Sequence, residues 1–505
     1  MCLLKKNSPF AVAILEAMNK AGLGMLERDH GNKVVQRTLV LFALSFATAL
    51  QASILTDSIE DFIASEMPAS GVPGVAYAIV ADGEIKTVNA RGLVRMGSEE
   101  TITPDTAFII GSVSKSFTAL AVMQLVEAGK LDLDTEISRY LPAFAGQPAA
   151  AITIRQLLSH TSGFSTYQGN RSHKDDNQSK DSLARLIDQQ AEVTPAYPPG
   201  VRWEYSNFNY QILGRLIEVV SGQTFKFYIE TNIMEPVGMM HSFVADGEIH
   251  DEIATGHRPW FVTKRPLDVN WTDILTAPQG GIIASASDLA LYMQMMMNGK
   301  DDVLSAAGKA TMMSPASEAS PFYGFGWYLD TGKGIVAHEG NSPGYDSIAT
   351  MVPSEKKGVV VLTNASSGMA FGSTAQLRHG IEARALGLDY DGEGPSWSIR
   401  ILFFSLVLLP PFFLLSMIWA WFHRDELRAK TGAFGMFSLW FPLFTTLASA
   451  WVVFSLMPRL LGASFATLNL FGPDIGLTLI AIPVTGVLWA VFRLGVAYTG
   501  KSLAV

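Results

Sequence analysis

Cysteine is almost missing: Cys2 is the only one among 505 residues. No intramolecular disulfide can form, and neither a Cys-based zinc site nor an iron–sulfur cluster finds its ligands, while nothing about redox compartment follows from bonds that cannot exist. Charge is sparse as well, with 16% charged residues and a formal net charge of -9. No cluster of lysines and arginines makes the concentrated positive footprint that phosphates require, which argues against nucleic acid as a partner. His173 in "HKDD" and His257 in "HRPWFV" lack helical metal spacing, and no H-E-x-x-H appears. No metal and no other cofactor is expected. Internal repeats and low-complexity tracts are also lacking.

What the chain has in abundance is apolar surface, 49% of its residues being hydrophobic, more than most soluble proteins carry. The length exceeds one ordinary core. Ile399 to Phe422, Phe434 to Met457 and Ile475 to Tyr498 are three apolar runs that reach the ~20 residues of a bilayer-spanning helix. Trp419, Trp421, Trp440 and Trp451 fall near the interfaces. Pro410 and Pro411 predict a kink in the first span without excluding it. The first connector, "HRDELRAKTG", carries Arg424, Arg428 and Lys430, whereas the second, "PRLLGASFATLNLFGPD", carries only Arg459. The positive-inside rule puts the first connector in the cytoplasm and the second outside.

Near the N-terminus, Lys33 and Arg37 precede "TLVLFALSFATAL", and Ala47-Thr48-Ala49 has the small residues a signal peptidase accepts. Residues 1–52 are read as a leader and signal peptide, with Met25 as an alternative start. An uncleaved anchor is the other reading, although its apolar core is shorter than ~20 residues. Either sends the following segment outside the cytoplasm, in agreement with the first span's orientation. Cys2 precedes the apolar run and so is no lipid-attachment site. The expected organisation is an extracytoplasmic domain at 53–390, a linker at 391–398 and a membrane domain with three transmembrane helices at 399–505, in a multi-pass protein of the cytoplasmic (inner) membrane.

Between those limits the pattern is mixed α/β. "DSIEDFIASEM" reads as an amphipathic helix, and "GVAYAIVADGEIKTVNARGLV" as two strands joined at Asp82-Gly83, a dipeptide that favours a tight hairpin. "GIVAHEG", "SIATMVP" and "GVVVLTN" read as late strands, and "TAQLRHGIEARALG" as a closing helix. One antiparallel sheet built from both ends of the segment, around a mainly helical middle, is expected.

Within "IIGSVSKSFTALAVMQLVEAGK", Ser112 and Lys115 lie about one turn apart at the start of a helix that is apolar nearly all round. Burial lowers a lysine's pKa, and a neutral amine is a competent general base. A serine hydroxyl is a weak nucleophile until such a base takes its proton. Ser-x-x-Lys thus offers both groups on one rigid element, with helix N-terminal N–H groups nearby to favour developing negative charge. Alone the spacing arises often by chance. Here it is followed by "YSN" at Tyr205 to Asn207, on a loop after the turn "PPGVRWE", and then by "HEGNSPGY" from His338 at the end of a late strand.

With these motifs in this order, the sequence resembles the serine β-lactamase and penicillin-binding-protein superfamily, specifically the class C β-lactamase-related serine hydrolases, which include D-aminopeptidases, DD-carboxypeptidases and esterases. "ITIRQLLSHTSGF", "QGGIIASASDLALYMQMMMNGK" and "YGFGWYL" extend the resemblance over nearly the whole domain. It implies an α+β, β-lactamase/transpeptidase-like fold with Ser112 as acylated nucleophile, Lys115 as its proton acceptor and Tyr205 as second acid/base. Asn207 is expected to orient Lys115 and contact substrate. Gly340 is expected to let substrate approach the strand, and the Asn341 N–H to join that of Ser112 as an oxyanion hole.

His338 departs from the Lys-Thr-Gly common in class C β-lactamases and many penicillin-binding proteins. Histidine at a pocket edge, titrating near ~6.5, removes a permanent positive charge that would hold a β-lactam carboxylate. A peptidase or esterase is therefore favoured over an efficient β-lactamase. His160 in "SHTSGF" is read as part of a structural turn, and the polar stretch from Ser172 to Ser182 as a solvated loop. The expected partners are a lipid bilayer and a small-molecule or peptide substrate, which a cell-wall source would fit. The contrasting class is a non-catalytic or slowly acylated penicillin-binding receptor that signals through its spans.

Overall fold

The computed structural model describes residues 58–170, 179, 181–392 and 397–499. The expected leader and signal peptide, and most of the Ser172 to Ser182 stretch with His173, lie outside the described residues.

Helix α1 (residues 58–70) leads into β1 (Gly74–Ala81) and β2 (Glu84–Gly92). Asp82 and Gly83 join these strands with φ of 56° and 77°, the left-handed pair that a two-residue hairpin needs. Late in the domain come β3 (Tyr328–Asp330), β4 (Ile335–Ser342), β5 (Tyr345–Val352) and β6 (Lys357–Thr363). They complete one antiparallel sheet in the order β2-β1-β6-β5-β4-β3, assembled from both ends of the segment as the strand patterns predict. The central strands β1, β5 and β6 are buried on both faces, which explains why they read as continuous apolar runs instead of alternating ones.

Helix α2 (Ser114–Glu127) carries the nucleophile motif and is buried along almost its full length. It packs against α3 (Asn207–Ser221) of the helical middle. Helix α4 (Ala286–Met297) covers one face of the sheet. Helix α5 (Ala375–Leu386) lies with α1 on the other face, where Arg384 stacks 3.8 Å from the Phe62 ring.

The C-terminal part forms three helices long and apolar enough to cross a membrane: Trp397–Phe422, Gly432–Leu460 and Pro473–Tyr498. The first is α6; the second starts as α7 (Gly432–Trp451) and runs on through a π-helical turn at Val452–Leu456. A short helix α8 (Phe465–Phe471) precedes the last, α9 (Pro473–Tyr498). Helix α9 is the middle member, with Gly486 meeting Phe413 of α6 and Thr446 of α7, a close approach that small residues allow. Its two ends differ. At the start, Asp474 accepts the Phe261 N–H at 2.8 Å from the hairpin His257–Trp260 and Thr263–Pro266 of the sheet domain. At the far end, the Val496 carbonyl accepts from Arg428 of the basic connector at 3.3 Å.

Candidate active site

Gly111 has φ 52°, and a Cβ there would come within 2.6 Å of the Asn341 nitrogen. This left-handed kink, followed by a 3-10 turn at Gly111–Val113, presents Ser112 just before α2. Val113, not Ser112, occupies the N-cap position, and no side chain caps the helix. The Ser112 hydroxyl is engaged elsewhere. Its Oγ lies 3.0 Å from Lys115 Nζ and accepts from the Tyr205 hydroxyl at 2.8 Å.

Lys115 is fully buried. Its Nζ also donates to Asn207 Oδ1 at 2.9 Å and to the Gln279 carbonyl at 2.7 Å. Burial drives its pKa well below the ordinary lysine value, because a buried ammonium loses hydration. Burial also pushes the Tyr205 phenol well above its usual value, so that it stays a proton donor. Ser112 thus sits between a base and an acid. Asn207 is the first residue of α3, where the motif predicts a loop position; its amide donates to Asn170 Oδ1 at 2.9 Å.

His338 differs from expectation. It is 2% exposed, its Nδ1 donates to the Glu339 carbonyl at 2.6 Å and its Nε2 accepts from Tyr323 at 3.2 Å. Burial first, and the neighbouring Lys115 second, lower its pKa to about 3. It lines the larger cavity at Ser112 as a buried neutral imidazole, not as a group titrating near ~6.5.

Gly340 lines the larger cavity and has a second role. A Cβ there would lie 1.9 Å from the Ile110 carbonyl oxygen and 2.3 Å from Ser347 Oγ. The close approach it permits is that of β4 to the chain leading into Ser112. Asn341 donates through its side chain to Asp346, a buried carboxylate that also accepts from the Ser367 N–H at 2.9 Å.

His160 lies behind Tyr205, with ring centroids 4.4 Å apart. Its Nδ1 accepts from the Ser206 N–H at 3.2 Å, and its backbone has φ 58°. It holds the loop that carries Tyr205 and makes no direct contact with Ser112.

Two cavities meet at Ser112, and Asn341 borders both. One, of about 620 Å³, contains Tyr205, Tyr328, His338 and Glu339. The other, of about 350 Å³, contains Asn207 and an apolar wall. Gln279, Asn170 and Asp346 were not legible as site residues. Gln279 acts through its main-chain carbonyl, which no side-chain pattern reports.

Comparison with known proteins follows the same lines. The sequence matches the Beta-lactamase family over residues 59–381. It is 33% identical over 324 residues to Penicillin-binding protein 4 of Amycolatopsis lactamdurans, covering 59% of this chain and 83% of that protein. Protein flp of Staphylococcus aureus (strain MRSA252) is 26% identical over 435 residues, covering 80% of this chain and 83% of its own. The structure of the octameric penicillin-binding protein homologue from Pyrococcus abyssi superposes with a TM-score of 0.58 at 27% identity, covering 66% of this chain and 78% of that one. The sheet, the serine between lysine and tyrosine, and these matches lead to one assignment: the chain belongs to the Beta-lactamase family.

Proposed function

We propose that the protein is a membrane-tethered serine hydrolase that acts outside the cytoplasm through an acyl-enzyme on an ester or amide. The observation that carries this reading is the position of Ser112 Oγ, 3.0 Å from a buried lysine amine and 2.8 Å from a tyrosine hydroxyl. Neutral Lys115 takes the hydroxyl proton as Oγ attacks the substrate carbonyl. The N–H groups of Ser112 and Asn341 receive the developing oxyanion. Collapse of the tetrahedral intermediate breaks the bond to the leaving group, which takes a proton from Tyr205. The Lys115 ammonium then returns its proton to Tyr205, and water attacks the ester at Ser112, giving a proton to Lys115, which passes it to Ser112 Oγ as the acyl–oxygen bond breaks and the acid leaves.

His338 carries no charge above about pH 3, and Arg378, the cation nearby, is bound to Glu339 at 3.0 Å. His379 on the same cavity, whose pKa is raised by its hydrogen bond to Glu382, is held by that carboxylate at 3.0 Å. None of the three offers an unpaired positive charge to a β-lactam carboxylate, which favours a peptidase or esterase over an efficient β-lactamase. The topology is supported by α9, whose start meets the sheet domain while its far end meets the basic connector, the polarity that the positive-inside rule assigns to an extracytoplasmic domain.

The test is to label the full chain with a fluorescent fluorophosphonate and, separately, with a fluorescent penicillin, and to locate the adduct by mass spectrometry alongside ester turnover. Labelling at Ser112 with turnover is expected. A permanent adduct without turnover would instead favour a receptor, and labelling at another residue would sink the mechanism.

A further inference from the structure

We propose that the smaller cavity at Ser112 is an acyl-chain site, and that the C-terminal helices build part of its wall, so that the preferred substrate carries an apolar chain on the scissile carbonyl. This rests on the hydrolase reading above and deepens it.

The sides of the site are distinguished by Tyr205. It borders only the 620 Å³ cavity, and the group that protonates the departing atom must face the leaving group. The leaving group therefore departs into that cavity, and the acyl portion occupies the other. That second cavity, about 350 Å³, is lined by the apolar Leu267, Val269, Trp271, Ile283, Leu470 and Phe471 together with the polar Asn207, Thr272, Asp273 and Thr276. Its size is within the usual range for small-molecule sites. Along these apolar side chains an alkyl chain loses water contact at every methylene.

Leu470 and Phe471 belong to α8, in the connector between the last two apolar helices, and α9 begins at Pro473. The connector is fixed to the sheet domain at several points. Asn170 donates to the Gly462 carbonyl at 2.7 Å, Thr467 donates to the Asn170 carbonyl at 3.3 Å, and Arg258 donates to the Leu470 carbonyl at 3.2 Å. The fit of connector to domain closes one side of the cavity at the level where a span ends. Val269 and Trp271 at its rim are 51% and 49% exposed, an apolar entrance of the kind that a chain leaving a bilayer would cross.

The test uses the full chain in detergent and p-nitrophenyl esters from acetyl to octanoyl, each below its aggregation concentration. The expected result is a kcat/KM that rises about two- to fourfold per added methylene, as burial of each in an apolar site implies. Phe471→Ser should lower the octanoyl-to-acetyl ratio at least about fivefold, since it opens one wall. Val269→Asp, at the exposed rim where folding is not at stake, should lower the same ratio. In phospholipid vesicles, faster turnover of a bilayer-held fluorogenic acyl ester than of a dissolved butyryl ester identifies the lipid phase as the source, and the reverse identifies the aqueous phase. A flat chain-length profile, or a ratio that neither variant changes, in protein that fluorophosphonate still labels at Ser112, overturns the acyl-chain site and leaves the hydrolase intact. Failure of any label to reach Ser112 removes both.

Discussion

Asn207 accepts a hydrogen bond from Lys115 at 2.9 Å through its oxygen and donates one to Asn170 at 2.9 Å through its nitrogen. Because Asn170 also donates to the Gly462 carbonyl, one chain of hydrogen bonds runs from Lys115 to the connector before α8. The orientation of Lys115 is therefore set from outside its own helix. An aspartate at 207 keeps the acceptor but adds a negative charge beside the amine, which favours the ammonium. Asn207→Asp should move the acid limb of the acylation profile up by about one to three pH units, the usual effect of an adjacent opposite charge. The check is fluorophosphonate labelling rate against pH. An unmoved limb would mean that the limb does not report Lys115.

Replacing the base itself gives a different signature. Lys115→Met should lower acylation by about two to four orders of magnitude, the range for loss of a general base. Stability should not fall in step, because a buried amine gives way to an apolar chain of similar length. Ser112→Ala should abolish labelling with little change in melting temperature, since Ser112 caps no helix. Melting and labelling measured on the same samples decide it, and residual labelling of Ser112→Ala near wild type would remove Ser112 from the mechanism.

Gly340→Ala probes the contact between β4 and the nucleophile turn. Its Cβ would meet the Ile110 carbonyl at 1.9 Å, a backbone atom that cannot swing aside. The strand must shift, at a cost of about 1–3 kcal/mol or more. Both stability and acylation should fall, because the displaced segment carries Gly111 into Ser112. Wild-type melting and labelling in this variant would show that β4 tolerates the extra atom.

Which parts of this arrangement were legible follows from the range of the forces involved. The Asp82-Gly83 hairpin and the three late strands depend on local backbone preference and on apolar runs, so the sequence announces them. The one-turn spacing of Ser112 and Lys115 is also local, and the apolar surround of α2 foretold the burial that lowers the lysine's pKa. The direction in which Gly340 lacks a side chain is not local: it depends on Ile110, reached only when the two ends of the domain pair. The strand of His338 puts it at the pocket but says nothing of Tyr323, which helps bury it from another segment and so keeps it neutral. Asn170, Gln279 and the α8 wall meet the site across long stretches of chain and carry no motif.

Acid should reveal the buried histidines as a group. Burial lowers the pKa of His257 to about 4 and of His338 to about 3, and lowers that of His160 well below its ordinary value. In the unfolded chain each titrates near ~6.5. Between these values the unfolded chain binds the extra proton and the native one does not, so stability is full above ~6.5 and declines as pH falls toward 4. His250, where burial is outweighed by Asp246 and Glu252, and His379, held by Glu382, have raised values. Their contribution changes only above ~6.5 and leaves this window alone. The expected outcome is a melting temperature that drops steadily from pH 6.5 to 4.5, before most carboxylates of the unfolded chain take up protons. His257→Gln, whose amide can still donate to the Asn364 carbonyl and accept from Met96 as the imidazole does, should flatten that drop. The acid limb of acylation belongs to Lys115, so His338→Gln should leave its midpoint in place while also reducing the loss of melting temperature. A melting temperature independent of pH in this interval, or an acylation limb that follows His338, would show that these imidazoles are not the buried neutral groups described.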